Sequence, residues 1–196
     1  RVVHHHTHRH DDIMTVLRLK KEFGFKVVLH HVSEAWKVAD EIAEAEVPCS
    51  IILLDSPGGK LEAIDIEWRN GAELEKRGVL TAFHTDDPIN DSRWFLRSAG
   101  LAVRAGMSRG KALAAVTISA AEMMDLAEKT GSLTEGKQAD FLILNGDPLS
   151  VYTRVLATHV EGQKVFDLAD PADKLWAEGG FGAGHQRKAS GCCFTK

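Results

Sequence analysis

Three groups of metal-ligand side chains stand at the ends of three short β-prone runs, and this placement limits what the chain can fold into. They are His4-His5-His6-Thr7-His8 after Val2-Val3, His30-His31 after Val27-Val28-Leu29, and His84-Thr85-Asp86-Asp87 after the run from Val79 to Phe83. Each group precedes a helical pattern. Strand–helix units with chemistry at the C-terminal ends of their strands have the layout of a (β/α) barrel. Imidazoles and a carboxylate converging from three strands suit a borderline ion such as zinc, manganese or iron. The chain holds only part of such a site.

The segments between the groups support this layout. Ile13, Val16, Leu17 and Phe23 recur at helical spacing, so a helix is expected over Asp11–Phe23, capped by Asp11 or Asp12 and stopped by Gly24. Phe25–His31 reads as a buried parallel strand. Glu34–Glu46 reads as a second amphipathic helix with Ala35, Val38, Ile42 and Ala45 inward, ending before Pro48. Cys49–Leu54 is a continuous apolar run, hence another buried strand. After the loop Asp55–Lys60, a helix is expected over Asn70–Arg77, a strand over Val79–Phe83 and a helix over Asp91–Ala105. Further helix, with a break, runs from Ser108 to about Ala127. Strand–helix alternation of this kind predicts parallel strands with right-handed crossovers. A doubly wound sheet alternates in the same way, but no phosphate loop follows the first strand.

After Leu126 the pattern changes. Gly131–Lys137 is turn-rich, and strands are expected at Ala139–Leu144, Val155–Val160 and Lys164–Phe166. The division read from sequence is 1–127 for the strand–helix unit, 128–167 for a small β module and 168–196 for a glycine-rich tail, flexible or docking. Gly131 to Gly136-Lys137 imitates a nucleotide-binding loop. However, Gln138 stands where Ser or Thr is needed, and a strand follows instead of a helix, so that reading is rejected.

Composition removes several function classes. A net charge of −4 gives no reason to expect nucleic acid. No apolar stretch is long enough to span a membrane. Cys49, Cys192 and Cys193 do not form a disulfide framework; the adjacent pair reads as a metal-binding or oxidisable pair, or as tail without a role. The chain begins with Arg rather than Met, which reads as a cut, a processed end or a truncation, so the compartment, cytoplasmic or periplasmic, stays open. Five of the ten histidines fall in the first ten residues. Thr7 and Arg9 interrupt that run and it leads into a helix start, unlike an expression tag.

These pieces together resemble the C-terminal half of the metal-dependent amidohydrolase superfamily, in the branch near imidazolonepropionase and the cyclic-amide and dipeptide hydrolases. The resemblance rests on Val3–Ile13, Leu29–Ala39, Thr85-Asp86-Asp87-Pro88, Leu101–Met107, Ala112–Thr117 and Gly131–Asp140, and covers roughly residues 1–167. It implies an α/β fold: the C-terminal half of a (β/α)8 TIM-type barrel, its strands five to eight, plus part of a small β-sandwich. It implies His6 and His31 as the fifth- and sixth-strand metal ligands. Asp86 would be the eighth-strand aspartate, which binds metal and takes the proton of the attacking water. The implied cofactor is one or two divalent ions, zinc first, with iron or manganese as alternatives. The implied reaction is hydrolysis of an amide, cyclic amide or peptide-like bond. Deamination on the same scaffold and a non-catalytic assembly or metal-binding role are the alternatives.

The first-strand His-x-His pair and the fourth-strand lysine or glutamate of that superfamily have no counterpart here. The expected partner is therefore a second polypeptide supplying the N-terminal half-barrel, within an oligomer, since four strands cannot close such a barrel. Each remaining candidate has two readings. His8 supports the ligands or faces substrate. His84 faces the barrel interior as a site residue or as an ordinary core histidine. Asp87 caps the next helix or orients a neighbour. Lys60 belongs to a substrate-covering loop or a plain turn. Arg93 and Arg97 clamp a substrate carboxylate or lie exposed on a helix. His4, His5 and His10 read as surface or packing residues. Side chains alternate along a strand, so His30 is expected to point away from His31 and the site.

Overall fold

The apolar runs form four parallel strands laid side by side in chain order. The computed structural model describes residues 1–54, 60–87 and 89–183. Its larger sheet contains β1 (Val2–Thr7), β2 (Lys26–His31), β3 (Cys49–Ile51) and β4 (Thr81–Phe83), in the order β1-β2-β3-β4. All three pairings are parallel. His6 lies opposite His30, His30 opposite Ser50, and Ser50 opposite Ala82. A smaller antiparallel sheet joins β5 (Phe141–Leu144), β6 (Val155–Val160) and β7 (Gln163–Asp167) in sequence order. The protein is thus mixed α/β, with the parallel and antiparallel parts in the order the sequence suggests.

The pleat gives the large sheet two different faces. Val27, Leu29, Cys49, Ile51 and Phe83 point to one side and pack with Ile13, Ile42, Leu74, Ala99 and Ala112 in the main core. Those partners come from α1 (His10–Phe23), α2 (Ala39–Glu44), α3 (Asn70–Lys76), α4 (Phe95–Arg104) and α5 (Arg109–Ala115). The other face carries Val28 and Ala82, which pack on Met123 with Val2, Leu80 and Ala120 beside them. Met123 and Ala120 belong to α6 (Ile118–Met123). Further along the same face, toward the C-terminal strand ends, the register places His4, His6, His30 and Ser50.

Helix boundaries reflect local chemistry with three departures from expectation. Gly24 ends α1 as predicted, at φ 70°, with its N–H bonded to the Lys20 carbonyl at 2.8 Å. Neither Asp11 nor Asp12 caps that helix; both lie in its first turn, and the N-cap position is Arg9. The orphan N–H of His10 is satisfied by the Glu34 carboxylate instead, at 3.0 Å. The helix expected over 34–46 is broken into a 3-10 turn, Ala35–Lys37, and α2, because Val38 sits at φ −133°, ψ 31°. Ala35, Val38 and Ile42 nevertheless face inward as the periodicity requires. The supposed tail contains a helix, α7 (Pro171–Glu178), whose start is set by Asp170 accepting from the N–H groups of Ala172 and Asp173 with proline in the first turn. Residues 184–196, with Cys192 and Cys193, lie outside the described residues.

The turn into the small sheet is tightly built. Asp140 accepts from Thr130 Oγ1 at 3.0 Å and from the Glu161 N–H at 2.8 Å, tying the turn to the β6–β7 connection. Gly131 has φ +85°, and a Cβ there would lie 2.7 Å from Ala121 Cβ and 3.0 Å from Ile118 Cα. Gly131→Ala is therefore expected to destabilise the protein by about 2–4 kcal/mol, combining overpacking against α6 with a left-handed backbone. Chemical denaturation of the variant and the parent measures this; a loss below about 0.5 kcal/mol would show that α6 gives way.

Candidate metal centre

The strand alternation that builds the core also collects imidazoles at one end of the sheet. On β1, residues 4 and 6 point to the face opposite the main core, and His8 follows just beyond the strand. His6 is exposed while His8 is 2% exposed. The His8 ring is fixed by an Nδ1–Ser33 Oγ hydrogen bond of 2.7 Å. The opposite register position on β2 is His30, so His30 shares the face of His6 rather than pointing away. Its Nε2 lies 2.9 Å from Nδ1 of His4, an exposed residue that packs on it.

Simple alternation would then send His31 to the core side. The backbone prevents this. His31 has φ 68°, and the next N–H, of Val32, bonds back to the His30 carbonyl at 2.9 Å, a strained γ-turn. Val32 itself has φ 38°. Such geometry persists only when its surroundings enforce it. Here the Val32 N–H also bonds to the Thr7 carbonyl at 2.7 Å, and buried Asn70 on α3 donates its side-chain N–H to the Val32 carbonyl at 2.8 Å. The consequence is that His31 turns back toward the site. Its ring centroid lies 4.4 Å from His6, 4.8 Å from His8 and 4.8 Å from His84. Both histidines of the pair thus reach one mouth, and the expected separation of His30 from His31 is corrected.

Ligand atoms of His6, His8 and His31 lie within 4.8 Å of one another. Nitrogens around a tetrahedral zinc, at about 2.0–2.1 Å from it, sit roughly 3.4 Å apart, so the three rings would draw together on binding an ion. Neutral imidazoles are the right donors for a borderline ion. Burial, reinforced by His84, His6, His8 and His30, pushes the His31 pKa down to about 2, so this ring holds no excess proton at neutral pH. Burial likewise lowers His84 to about 4, with His30, His8 and His6 adding to the effect. For His30, burial and then the neighbouring His4 and His6 lower the pKa, while Asp86 opposes them. The donor set therefore fits a divalent metal.

The other residues singled out in the sequence divide clearly. Asp86 follows β4 in a left-handed turn at φ 55°, near enough to bias His30 electrostatically, but outside the three-histidine group. His84 lies in the cluster, with Nδ1 2.8 Å from Ser50 Oγ and Nε2 3.0 Å from His31 Nδ1. Asp87 is exposed and accepts from the Ser92 N–H at 3.0 Å, ordering the turn into the next helix. Arg93 pairs with Asp91, donates to the Trp176 carbonyl at 2.5 Å and stacks over that indole at 5.0 Å. Its role is to anchor α7. Lys60 stands at the site margin, 3.5 Å from Glu62; residues 55–59 and Pro88 lie outside the described residues. Glu62 was not foreseen. Its Oε1 is 3.6 Å from His6 Nε2 and 4.0 Å from His8 Nε2, brought there by a short 3-10 turn that no periodicity announces.

Comparison with known proteins finds relatives over most of the chain. The family model described as "Amidohydrolase family" matches residues 1–166. The chain is 24% identical over 169 residues to the amidohydrolase tasK of Hapsidospora irregularis, covering 84% of this chain and 17% of that protein. It is 30% identical over 130 residues to a probable imidazolonepropionase of Xenopus tropicalis, covering 63% of this chain and 29% of that protein. Among solved structures, an amidohydrolase from Thermotoga maritima MSB8 superposes with a TM-score of 0.78 at 33% identity, over 84% of this chain and 43% of that one. The chain therefore spans less than half the length of each of these relatives. No helix among the described residues is long and apolar enough to cross a membrane.

Proposed function

The chain belongs to the amidohydrolase family, and on that premise we propose that it supplies part of a metal-dependent hydrolase for C–N bonds of the amide, cyclic-amide or peptide-like kind. The observation that carries this reading is the convergence of His6, His8 and His31 at the C-terminal strand ends, beside the turn bearing Asp86. His6 and His31 would hold the ion, Asp86 offers a carboxylate from the turn after β4, and His8 stands close enough to be a third imidazole. Zinc suits the donor set best. A divalent ion bound there would acidify water from a pKa of about 15.7 to about 7 and polarise a carbonyl.

The chain's own groups do the rest. Asp86 accepts the proton of the attacking water and returns it to the leaving nitrogen. Glu62 and Lys60, at the rim, orient the substrate's polar groups. The four-stranded sheet is the C-terminal half of a (β/α)8 barrel, completed by a second polypeptide or segment bearing the N-terminal half and its His-x-His pair. Support for this comes from the sheet itself, in which β1 and β4 each pair on one side only among the described residues.

The test is turnover of a panel of cyclic amides, N-acyl amino acids and dipeptides by the zinc-loaded assembly of this chain with the N-terminal half-barrel. The expected result is ring opening or amide cleavage, lost on chelation and restored by zinc. Turnover that persists in excess chelator would overturn the metal role, and stoichiometric ammonia release from an aminated ring would replace hydrolysis with deamination.

A further inference from the structure

We propose that His84, itself held by Ser50, supports His31 in the tautomer that leaves Nε2 free for a metal, and so acts as a positioning residue for the centre. This rests on the reading of His31 as a ligand. Three groups form an unbroken hydrogen-bonded row: Ser50 Oγ to His84 Nδ1 at 2.8 Å, then His84 Nε2 to His31 Nδ1 at 3.0 Å. Both supports are fixed by backbone. Ser50 lies in β3, and the His84 N–H bonds to the Ile51 carbonyl at 3.2 Å.

Only two proton arrangements satisfy this row when both rings are neutral, because each neutral imidazole has one donor and one acceptor nitrogen. In the first, the Ser50 hydroxyl donates to His84 Nδ1, and His84 Nε2–H donates to His31 Nδ1. The single proton of His31 is then on Nε2, and no lone pair remains there for an ion. In the second, His31 Nδ1–H donates to His84 Nε2, and His84 Nδ1–H donates to Ser50 Oγ. His31 Nε2 is then free to ligate. Metal binding selects the second arrangement, and the row stabilises it by giving both N–H groups an acceptor. A ligating histidine whose other nitrogen is so engaged is oriented and made more basic. The proposed chemistry gave His84 no task; the hydrogen bonds assign it one.

The test is the zinc affinity of the full chain, measured by competition with a chromophoric chelator, for the parent, His84→Phe and His84→Gln. Long-range proton–nitrogen correlation spectra of the zinc-loaded parent read the tautomers directly. His84→Phe, which removes the acceptor, is expected to weaken zinc binding about 10–100-fold. His84→Gln, whose side-chain carbonyl can accept the same proton, is expected to recover most of that loss. The spectra should place the proton of both His31 and His84 on Nδ1. Affinity in His84→Phe within twofold of the parent, or His84→Gln as weak as His84→Phe, would overturn the proposal. Should His84→Phe not fold, a proton on Nε2 of His31 in the zinc-loaded parent overturns it alone. A parent chain that binds no zinc refutes the metal reading first, and this inference with it.

Discussion

Replacing Asp86 with asparagine is expected to lower turnover by about 10²–10⁴-fold, the usual contribution of a positioned general acid–base. Asparagine keeps the shape of the side chain and the left-handed turn that presents it, a conformation asparagine tolerates well. What it loses is the ability to accept and return a proton. Global stability should therefore change by less than about 0.5 kcal/mol. The fall should appear in kcat rather than in KM, because the proton moves only as the bond breaks. Steady-state kinetics alongside a denaturant melt separate these effects. Unchanged kcat would remove Asp86 from the chemistry, and a large drop in stability would reassign it to the turn.

Glu34 carries the second large effect, on stability. It is 2% exposed, yet charged. Burial alone would raise its pKa. Bonds from the His10 N–H and ring and from Lys37 overcome this and bring it down to about 2, from an ordinary 4.5. This difference corresponds to about 3 kcal/mol of native stability. The sign follows from the depressed value. The contribution is fully present above about pH 4.5 and is lost as the pH falls through the range toward 2, where the folded state too takes up the proton. Glu34→Gln should therefore cost about 3 kcal/mol at pH 7, with the gap to the parent closing as the pH approaches 2. The same residue joins two parts of the site, since its N–H bonds to the His8 carbonyl at 3.0 Å while its carboxylate receives the His10 N–H. Loss of zinc affinity should accompany loss of stability in this variant. Urea titrations from pH 7 to pH 3 provide the check, and a pH-independent difference would contradict the ionised, clamped Glu34.

Much of the fold was legible because its elements obey local rules. The runs at 27–29 and 49–53, apolar but for Ser50, are buried throughout because both faces of those strands are covered, and α1 ends where Gly24 supplies a left-handed backbone. The features that escaped depend on distant partners. The N-terminus of α1 is capped by Glu34, 24 residues away from His10, which no local pattern encodes. His30 was misplaced because alternation was applied to His31 as though the strand ran straight. In fact β2 ends in a γ-turn held by Thr7 and by Asn70, 38 residues beyond Val32. The alternation argument itself was sound, since it places His30 correctly once His6, its register partner, is taken as the reference. Glu62 and α7 differ in kind. Glu62 arrives on an irregular segment with no periodic signal. The start of α7 was readable in Asp170-Pro171, an N-cap followed by proline at the first helical position, but the glycines beyond it drew the reading toward a tail.

The central claim is that imidazoles from β1 and the end of β2 hold a divalent metal. Zinc-edge X-ray absorption of the chain titrated with one equivalent of zinc tests it most directly. The account requires a shell of nitrogen and oxygen at about 2.0–2.1 Å with the outer scattering of at least two imidazoles, and loss of that scattering when His6 and His31 are both replaced by alanine. A zinc environment without imidazole scattering, or one unchanged in the double variant, would contradict the account.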